Sequence, residues 1–243
     1  MRHNKMLLFL GDSSPLGWEV ELELKESVPE SYDTSNIYLN GSACPPQPPF
    51  RPDLAYPQLV ATQLQQPFWN LGLGGASYDF VLSIFQKFIK EHEMPNDTTV
   101  FLSQVSFFRR HKYDSFNSQT YAFFPYPKYP NFDEIKEIPK ICHDAEELLM
   151  RTACKDAVQN INHIYQICKA NGWNFVLHGI GFKISPEEFD AIDKFCEVPK
   201  ENLLPELWSM LFMDDLWFGN HPSHKGHEQI ANSLIAHYNE RFI

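Results

Sequence analysis

A chain of 243 residues, 43% of them hydrophobic, is long enough to bury one substantial core, and its size favours a single compact domain over residues 1–243. The formal net charge is −11, with 20 Lys and Arg residues against 31 Asp and Glu residues. A protein that tracks a phosphate backbone needs a broad positive field, so this balance excludes nucleic acid as an expected partner.

Cysteine usage and the amino-terminal residues indicate an intracellular protein. The five cysteines form no C-x-x-C pair and leave at least one unpaired, which argues against a disulfide framework. The apolar run Met6–Leu10 follows basic residues, but it is shorter than the roughly 7–15 residues of a signal-peptide core. No apolar run approaches the roughly 18 residues of a membrane span. We therefore expect a cytoplasmic protein with no membrane partner.

Short apolar runs alternate with longer helical patterns along the chain, which is typical of a mainly parallel sheet covered by helices. The predicted strands are Met6–Leu10, Pro67–Leu71, Thr98–Gln104 and Asn174–His178. The predicted helices, which carry apolar residues at helical spacing, are Tyr56–Gln65, Tyr78–Glu91, Asp144–Asn171 and Lys225–Phe242. The pattern therefore predicts an α/β fold.

Two insertions interrupt this order, at about 42–57 and 112–139. Ser42–Pro57 is dense in proline, and aromatic residues alternate with prolines in Lys112–Pro139. Because proline fixes φ and removes a donor, we expect rigid irregular loops rather than hidden strands or helices. The second insertion follows the third strand directly, so it either lines a substrate pocket or covers the sheet edge or a subunit contact. Pro186–Met213 is expected to form one or two short helices.

A candidate nucleophile follows the first predicted strand, in the sequence Gly11-Asp12-Ser13-Ser14. A serine on the turn that leaves a central strand presents its hydroxyl at the top of the sheet. Its own backbone N–H is then available to a developing oxyanion. Gly, Asp and Ser are also ordinary turn residues, which is the alternative interpretation of this motif.

A glycine-rich segment, Asn70–Ser77, follows the second strand and opens a helix. Glycines let the backbone approach a ligand closely, and N–H groups at a helix start favour negative charge. A dinucleotide-binding loop is the competing interpretation. The glycine spacing differs from that fingerprint, and the segment follows the second strand rather than the first. We expect no cofactor.

Three histidines, His221, His224 and His227, precede or open the last helix. A histidine in this loop can reach a serine on the first strand, because a parallel sheet brings such loops to one edge. A metal site is the alternative, but three-residue spacing spreads the histidines around a helix, and no carboxylate–histidine pattern completes a familiar site. We expect His221 to be a general base, His227 a packing or capping residue, His224 solvent-exposed, and no metal.

Together these three segments resemble the GDSL/SGNH hydrolase family, in its order and over nearly the whole chain. The most specific match is the tail H-P-S-x-x-G-H-x-x-x-A, from His221 to Ala231, and Y-P-x-L with N-x-G-x-x-G-A-S is similar to bacterial and phage members. The resemblance implies a three-layer α/β/α sandwich with flavodoxin-like architecture. It also implies Ser13 as nucleophile, Gly75 as a backbone oxyanion donor and His221 as the catalytic histidine.

Two positions depart from the family pattern. The family places an oxyanion-binding asparagine after the third strand, where this chain has Leu102–Arg110 without one, so Ser106, preferred by its position, or Gln104 would have to donate. The family also places an aspartate three residues before the histidine, where this chain has Phe218. Asp215, slightly upstream, is the candidate orienting acid, and a Ser–His dyad is the alternative.

The predicted function is a carboxylic ester hydrolase that removes a small acyl group from a sugar or another small metabolite, with acyl transfer as a close variant. The substrate-binding candidates are Asp12, Arg109 and Trp18, although a solvated arginine and a packing tryptophan are the ordinary alternatives. The second hypothesis is a catalytically weakened protein of the same fold that binds a glycan or acts as an interaction module.

Overall fold

A parallel five-stranded sheet forms the centre of the protein in the computed structural model. The described residues are 5–12, 14–17, 20–25, 29, 32, 35–38, 51–72, 76–105, 110–114, 119–123, 142–179, 186–204, 216–218 and 221–243. The sheet contains β1 (Met6–Gly11), β2 (Phe68–Gly72), β3 (Thr98–Ser103), β6 (Asn174–His178) and β7 (Leu203–Leu204). Their order is β2-β1-β3-β6-β7, and every pairing is parallel.

Helices cover both faces of this sheet, which gives the predicted three-layer α/β/α arrangement. On one face, α2 (Tyr56–Leu64) and α6 (His224–Phe242) pack against the strands. On the other face lie α3 (Tyr78–Glu91), α4 (Cys142–Ala170) and α5 (Pro186–Phe195). The central strands are apolar on both sides because both sides are buried.

The four main strands and four main helices begin and end within two residues of their predicted bounds. The prediction of one or two short helices in Pro186–Met213 is confirmed as far as residue 204, by α5 and a 3₁₀ turn at Lys200–Asn202, but it missed β7, which follows that turn. Residues 205–213 lie outside the described residues. It also missed α1 (Val20–Leu24) and the two-residue strands β8 (Trp217–Phe218) and β9 (His221–Pro222). These elements are too short to show a periodic pattern.

The expectation of an irregular loop over Lys112–Pro139 is wrong for its first part. An antiparallel hairpin forms there, from β4 (Arg110–Asp114) and β5 (Gln119–Phe123). The proline argument does not apply to these strands, because the first proline of the insertion is Pro125. Thr120 and Tyr121 are strand-favouring residues. The rest of this insertion lies outside the described residues.

The other insertion, Ser42–Pro57, is described only from residue 51. Residues 51–55 form turns, and Pro57 lies in the first turn of α2, where a helix tolerates proline because that N–H has no partner within the helix. Within the described part of the chain, no helix is both long and apolar enough to span a membrane.

Candidate active site

The carboxyl ends of the central strands form a row of small and polar residues on the face covered by α2. Gly72 pairs with Gly11, and Ser103 pairs with His178. The Ser103 hydroxyl donates to the carbonyl of Leu10 at 3.2 Å and so joins the two pairs. A Cβ on Gly11 would lie 1.8 Å from that hydroxyl oxygen, so this strand end requires glycine.

Tyr56, the first residue of α2, packs over this row. Its ring meets the His178 ring edge to face at 5.4 Å and stacks on the His227 ring at 6.0 Å. The pKa of Tyr56 is raised well above its ordinary value, mainly by burial and further by the negative charge of Asp12, while the Ser103 hydroxyl lowers it. The Tyr56 ring also meets the Phe9 ring edge to face at 5.9 Å, so Tyr56 joins β1, β6 and α6.

The two histidines around Tyr56 are fully buried and neutral. Burial lowers the pKa of His178 to about 3. Burial, with the neighbouring His221 and His224, lowers the pKa of His227 to about 3. The predicted packing or capping role of His227 is confirmed, because its Nδ1 accepts a hydrogen bond at 3.3 Å from the backbone N of Tyr56, at the start of α2.

Several buried polar atoms at this edge have no hydrogen-bond partner within the described part of the chain. They are both ring nitrogens of His178, Nε2 of His227 and both amide atoms of Gln104. Gln104 is 2% exposed and directly follows β3. A buried polar atom without a partner costs about 1–3 kcal/mol, so these atoms favour binding of water or a polar ligand here.

The turn after β1 is held by Asn70 of β2. The Asn70 side chain donates to the carbonyl of Pro15 at 2.7 Å and accepts from the N of Gly72 at 2.9 Å. Pro15 belongs to a 3₁₀ turn, Ser14–Leu16, and Asp12 before it is 2% exposed. These two hydrogen bonds fix the backbone at Pro15, two residues after Ser13, and at Gly72, where β2 ends.

The glycine-rich segment is anchored to the third strand at the start of α3. The hydroxyl of Tyr78 accepts a hydrogen bond at 3.1 Å from the backbone N of Val105, just after β3. Ser77, which caps this helix, is fully buried. The glycine-rich segment and the end of the third strand therefore meet at one edge of the sheet.

The histidine segment is a pair of short antiparallel strands followed by α6. Phe218 pairs with His221, and the N of Ser223 donates to the carbonyl of Leu216 at 2.8 Å. The Ser223 side chain caps α6 by accepting from the N of Gly226 at 3.1 Å. A Cβ on Gly226 would lie 2.3 Å from the Leu216 carbonyl oxygen, which explains the glycine in the tail motif.

His224 is not solvent-exposed as predicted. Its side chain is 31% exposed, and its Nε2 lies 3.4 Å from the carboxylate of Glu228. Its backbone N donates to the Glu23 carboxylate of α1 at 2.6 Å. The helix start is therefore packed against α1, a contact that the local sequence pattern does not reveal.

Of the predicted site residues, the structure describes Asp12, Gln104 and His221. Asp12 and Gln104 are buried just after β1 and β3, and His221 is partly buried in β9. The remaining predicted site residues lie outside the described residues: Ser13, Trp18, Gly75, Ser106, Arg109 and Asp215. Sequence reasoning missed His178, although a histidine that ends the apolar run N-F-V-L-H was a usable signal. It noted Tyr56 only as part of the Y-P-x-L motif.

Compared by sequence, the chain matches no protein-family model and no curated protein. Compared by structure, it is similar to several esterases over nearly its whole length. EstA, a psychrotrophic esterase from Pseudoalteromonas sp., aligns at 11% identity and a TM-score of 0.51, covering 97% of each chain. The acetyl xylan esterase Est2A from Butyrivibrio proteoclasticus aligns at 13% identity and 0.51, covering 99% of this chain and 64% of Est2A.

TesA aligns at 12% identity with a TM-score of 0.53, covering 97% of this chain and 99% of TesA. At identities this low, the structural similarity establishes a common fold, and the chemistry has to be argued from the site residues. The chain therefore has the three-layer α/β/α fold of these esterases, which is the fold that its resemblance to the GDSL/SGNH hydrolases predicted.

Proposed function

We propose that this protein is a serine ester hydrolase that uses Ser13 as nucleophile and His221 as general base. The observation that carries the proposal is the meeting of three segments at one edge of the sheet. Gly11, at the end of β1, pairs with Gly72 of the glycine-rich segment. The Tyr56 ring contacts both Phe9 of β1 and His227 of the histidine segment. The position of Ser13 follows Asp12 directly, and His221 precedes the first turn of α6.

In the proposed reaction, His221 accepts the Ser13 proton while Oγ attacks the ester carbonyl carbon. The tetrahedral oxyanion collapses, the alcohol leaves with the proton from His221, and Ser13 holds the acyl group. His221 then accepts a proton from a water molecule whose oxygen attacks the acyl carbon. The bond from that carbon to Oγ breaks, the acid leaves, and His221 returns the proton to Ser13. His221 therefore acts as a base toward the attacking group and as an acid toward the leaving group, as in other serine hydrolases.

The proposed oxyanion donors are the backbone N–H groups of Ser13 and Gly75 and a third group after β3. Gln104 fits that third role, because its amide is buried and has no partner among the residues that the structure describes. Ser106 is the positional alternative. One such donor is worth roughly 10²–10³ in rate.

The proposed substrate is a small acyl ester of a sugar or another small metabolite, with acyl transfer as a variant. Est2A and the AlAXEase structure, which aligns at a TM-score of 0.50, are acetyl xylan esterases, and they support this class. Arg109 and Trp18 stay substrate-binding predictions. Asp12 is buried, which favours a role beneath the site over direct substrate contact. Asp215 stays a prediction for the orienting acid.

The test is hydrolysis of p-nitrophenyl acetate by wild type, Ser13→Ala and Ser14→Ala. Ser14 is the matched control, because it is the adjacent serine and begins the 3₁₀ turn. Turnover that Ser13→Ala abolishes and Ser14→Ala retains would support the proposal. A folded wild type without turnover would contradict the proposal and favour the second hypothesis, a binding protein of this fold. That hypothesis is motivated by Phe218, which occupies the position of the family's catalytic aspartate.

A further inference from the structure

A hydrogen bond joins two segments that are 201 residues apart in the chain. Oε2 of Glu23, in α1, accepts from the backbone N of His224 at 2.6 Å. His224 is the first residue of α6, three positions after His221. The first N–H groups of a helix have no partner within the helix. Ser223 satisfies one of them from within the segment, and Glu23 satisfies another from outside it.

The other end of this connection leads to the nucleophile turn, which is the segment after β1 that carries the proposed nucleophile Ser13. The carbonyl of Gly17 accepts from the N of Val20 at 3.3 Å and from the N of Arg51 at 3.1 Å, so the start of α1 is fixed to the turn. Asn70 holds the same turn at Pro15. Glu23 thus follows Ser13 by ten residues, in a stretch of chain that hydrogen bonds hold at Pro15 and Gly17.

A carboxylate suits this position for two physical reasons. Its hydrogen bond to an N–H is charge-assisted, and a negative charge is favourable at the amino end of a helix. Glu23 is partly buried, which reduces screening by solvent. Glu228, a second carboxylate near this helix start, contacts the His224 ring rather than its backbone. The two carboxylates therefore have separable roles.

We propose that Glu23 is a positioning residue that holds the histidine segment, and with it His221, at a fixed distance from the nucleophile turn. This inference rests on the proposed function. The family's aspartate position is occupied by Phe218, whose backbone pairs with His221, so the usual acid does not fix the histidine from that position. Glu23 fixes the same segment through its backbone, from another part of the chain.

The test compares Glu23→Ala, which removes the acceptor, with Glu23→Gln, which keeps an acceptor oxygen without the charge. Glu228→Gln is the control at the same helix start. With p-nitrophenyl acetate we expect Glu23→Ala to lower kcat by about tenfold or more with KM within about twofold, because a displacement of about 1 Å can cost 10²-fold. Glu23→Gln should recover most of kcat, and Glu228→Gln should match wild type.

A purely structural role predicts a different result. If Glu23→Ala lowers the melting temperature but keeps the wild-type kcat below that temperature, the positioning role is overturned. Equal losses of kcat in Glu23→Ala and Glu23→Gln would also overturn it, because the lost acceptor would then not be the cause.

A second readout does not depend on catalysis. The His224 amide should exchange with solvent slowly in wild type and Glu23→Gln and faster in Glu23→Ala, measured by NMR. Equal exchange in all three would overturn the contact itself. Protected exchange in a wild type that has no esterase activity would instead overturn the proposed function, and with it the positioning role.

Discussion

Gly226 offers a sharp test of how the histidine segment is placed. It lies in the first turn of α6, where alanine would ordinarily be preferred over glycine by about 0.8–1.0 kcal/mol. The structure predicts the opposite sign. A Cβ on Gly226 would lie 2.3 Å from the carbonyl oxygen of Leu216 and 3.2 Å from Cβ of Pro222.

The first of these distances is about 1 Å shorter than an ordinary carbon–oxygen contact. The obstacle is a backbone carbonyl that also accepts the hydrogen bond from Ser223, so it cannot rotate away as a side chain would. Gly226→Ala should therefore displace the segment that carries His221. Overpacking of this kind costs typically 1–3 kcal/mol. A shift of about 1 Å in a catalytic group can cost 10²-fold in rate.

The assay is urea unfolding together with p-nitrophenyl acetate turnover, with Lys225→Ala as the control. Lys225 is the exposed neighbour of Gly226 in the same helical turn. We expect Gly226→Ala to lose both stability and turnover, and Lys225→Ala to keep both. A Gly226→Ala protein that is more stable than wild type and fully active would refute the close packing of α6 on Leu216.

Three further predictions concern the sheet edge. Gly11→Ala should destabilise the protein by about 1–3 kcal/mol in urea unfolding, because its Cβ would meet the Ser103 hydroxyl. A Gly11→Ala protein as stable as wild type would contradict the close packing of Gly11 on Ser103. His178, with its pKa lowered to about 3, stays neutral when folded but is protonated in the unfolded chain below its ordinary pKa of 6.5, so the free energy of unfolding falls as pH drops through that value. Wild type should lose about 2 kcal/mol more than His178→Gln between pH 7 and pH 5, and equal losses would show that His178 is not buried neutral. Asn70→Ala removes two buried hydrogen bonds and should cost about 1–3 kcal/mol and slow ester turnover, and unchanged turnover would show that it does not hold the Ser13 turn.

The layered fold was predictable because its main elements have strong local signals. Met6–Leu10 of β1 is a continuous apolar run, β3 contains the apolar residues V-F-L, and α3 repeats its apolar residues at helical spacing over Tyr78–Glu91. The hairpin of β4 (Arg110–Asp114) and β5 (Gln119–Phe123) does not follow from the composition of the whole insertion, which is rich in proline. Local composition changes within a few residues there, and the prolines begin only after β5.

The site was predictable only as motifs, because its contacts join residues distant in the chain. The tail motif identified Gly226 and His227, but the sequence gives no sign that one faces Leu216 and the other stacks on Tyr56, 171 residues earlier. The Glu23 contact with His224 is equally invisible, since α1 is a five-residue helix with no distinctive pattern. Such pairings follow from the tertiary fold, which brings separate strand ends to one edge.

The central claim is that Ser13 is an activated nucleophile, and covalent labelling tests it most directly. A fluorophosphonate is a suitable probe, because it forms a covalent bond with an activated serine. After incubation with the probe, intact mass and peptide mapping should find a single adduct on Ser13 in wild type and in Ser14→Ala, and none in Ser13→Ala. An unlabelled wild type with a cooperative unfolding transition, or an adduct that persists in Ser13→Ala, would contradict the claim.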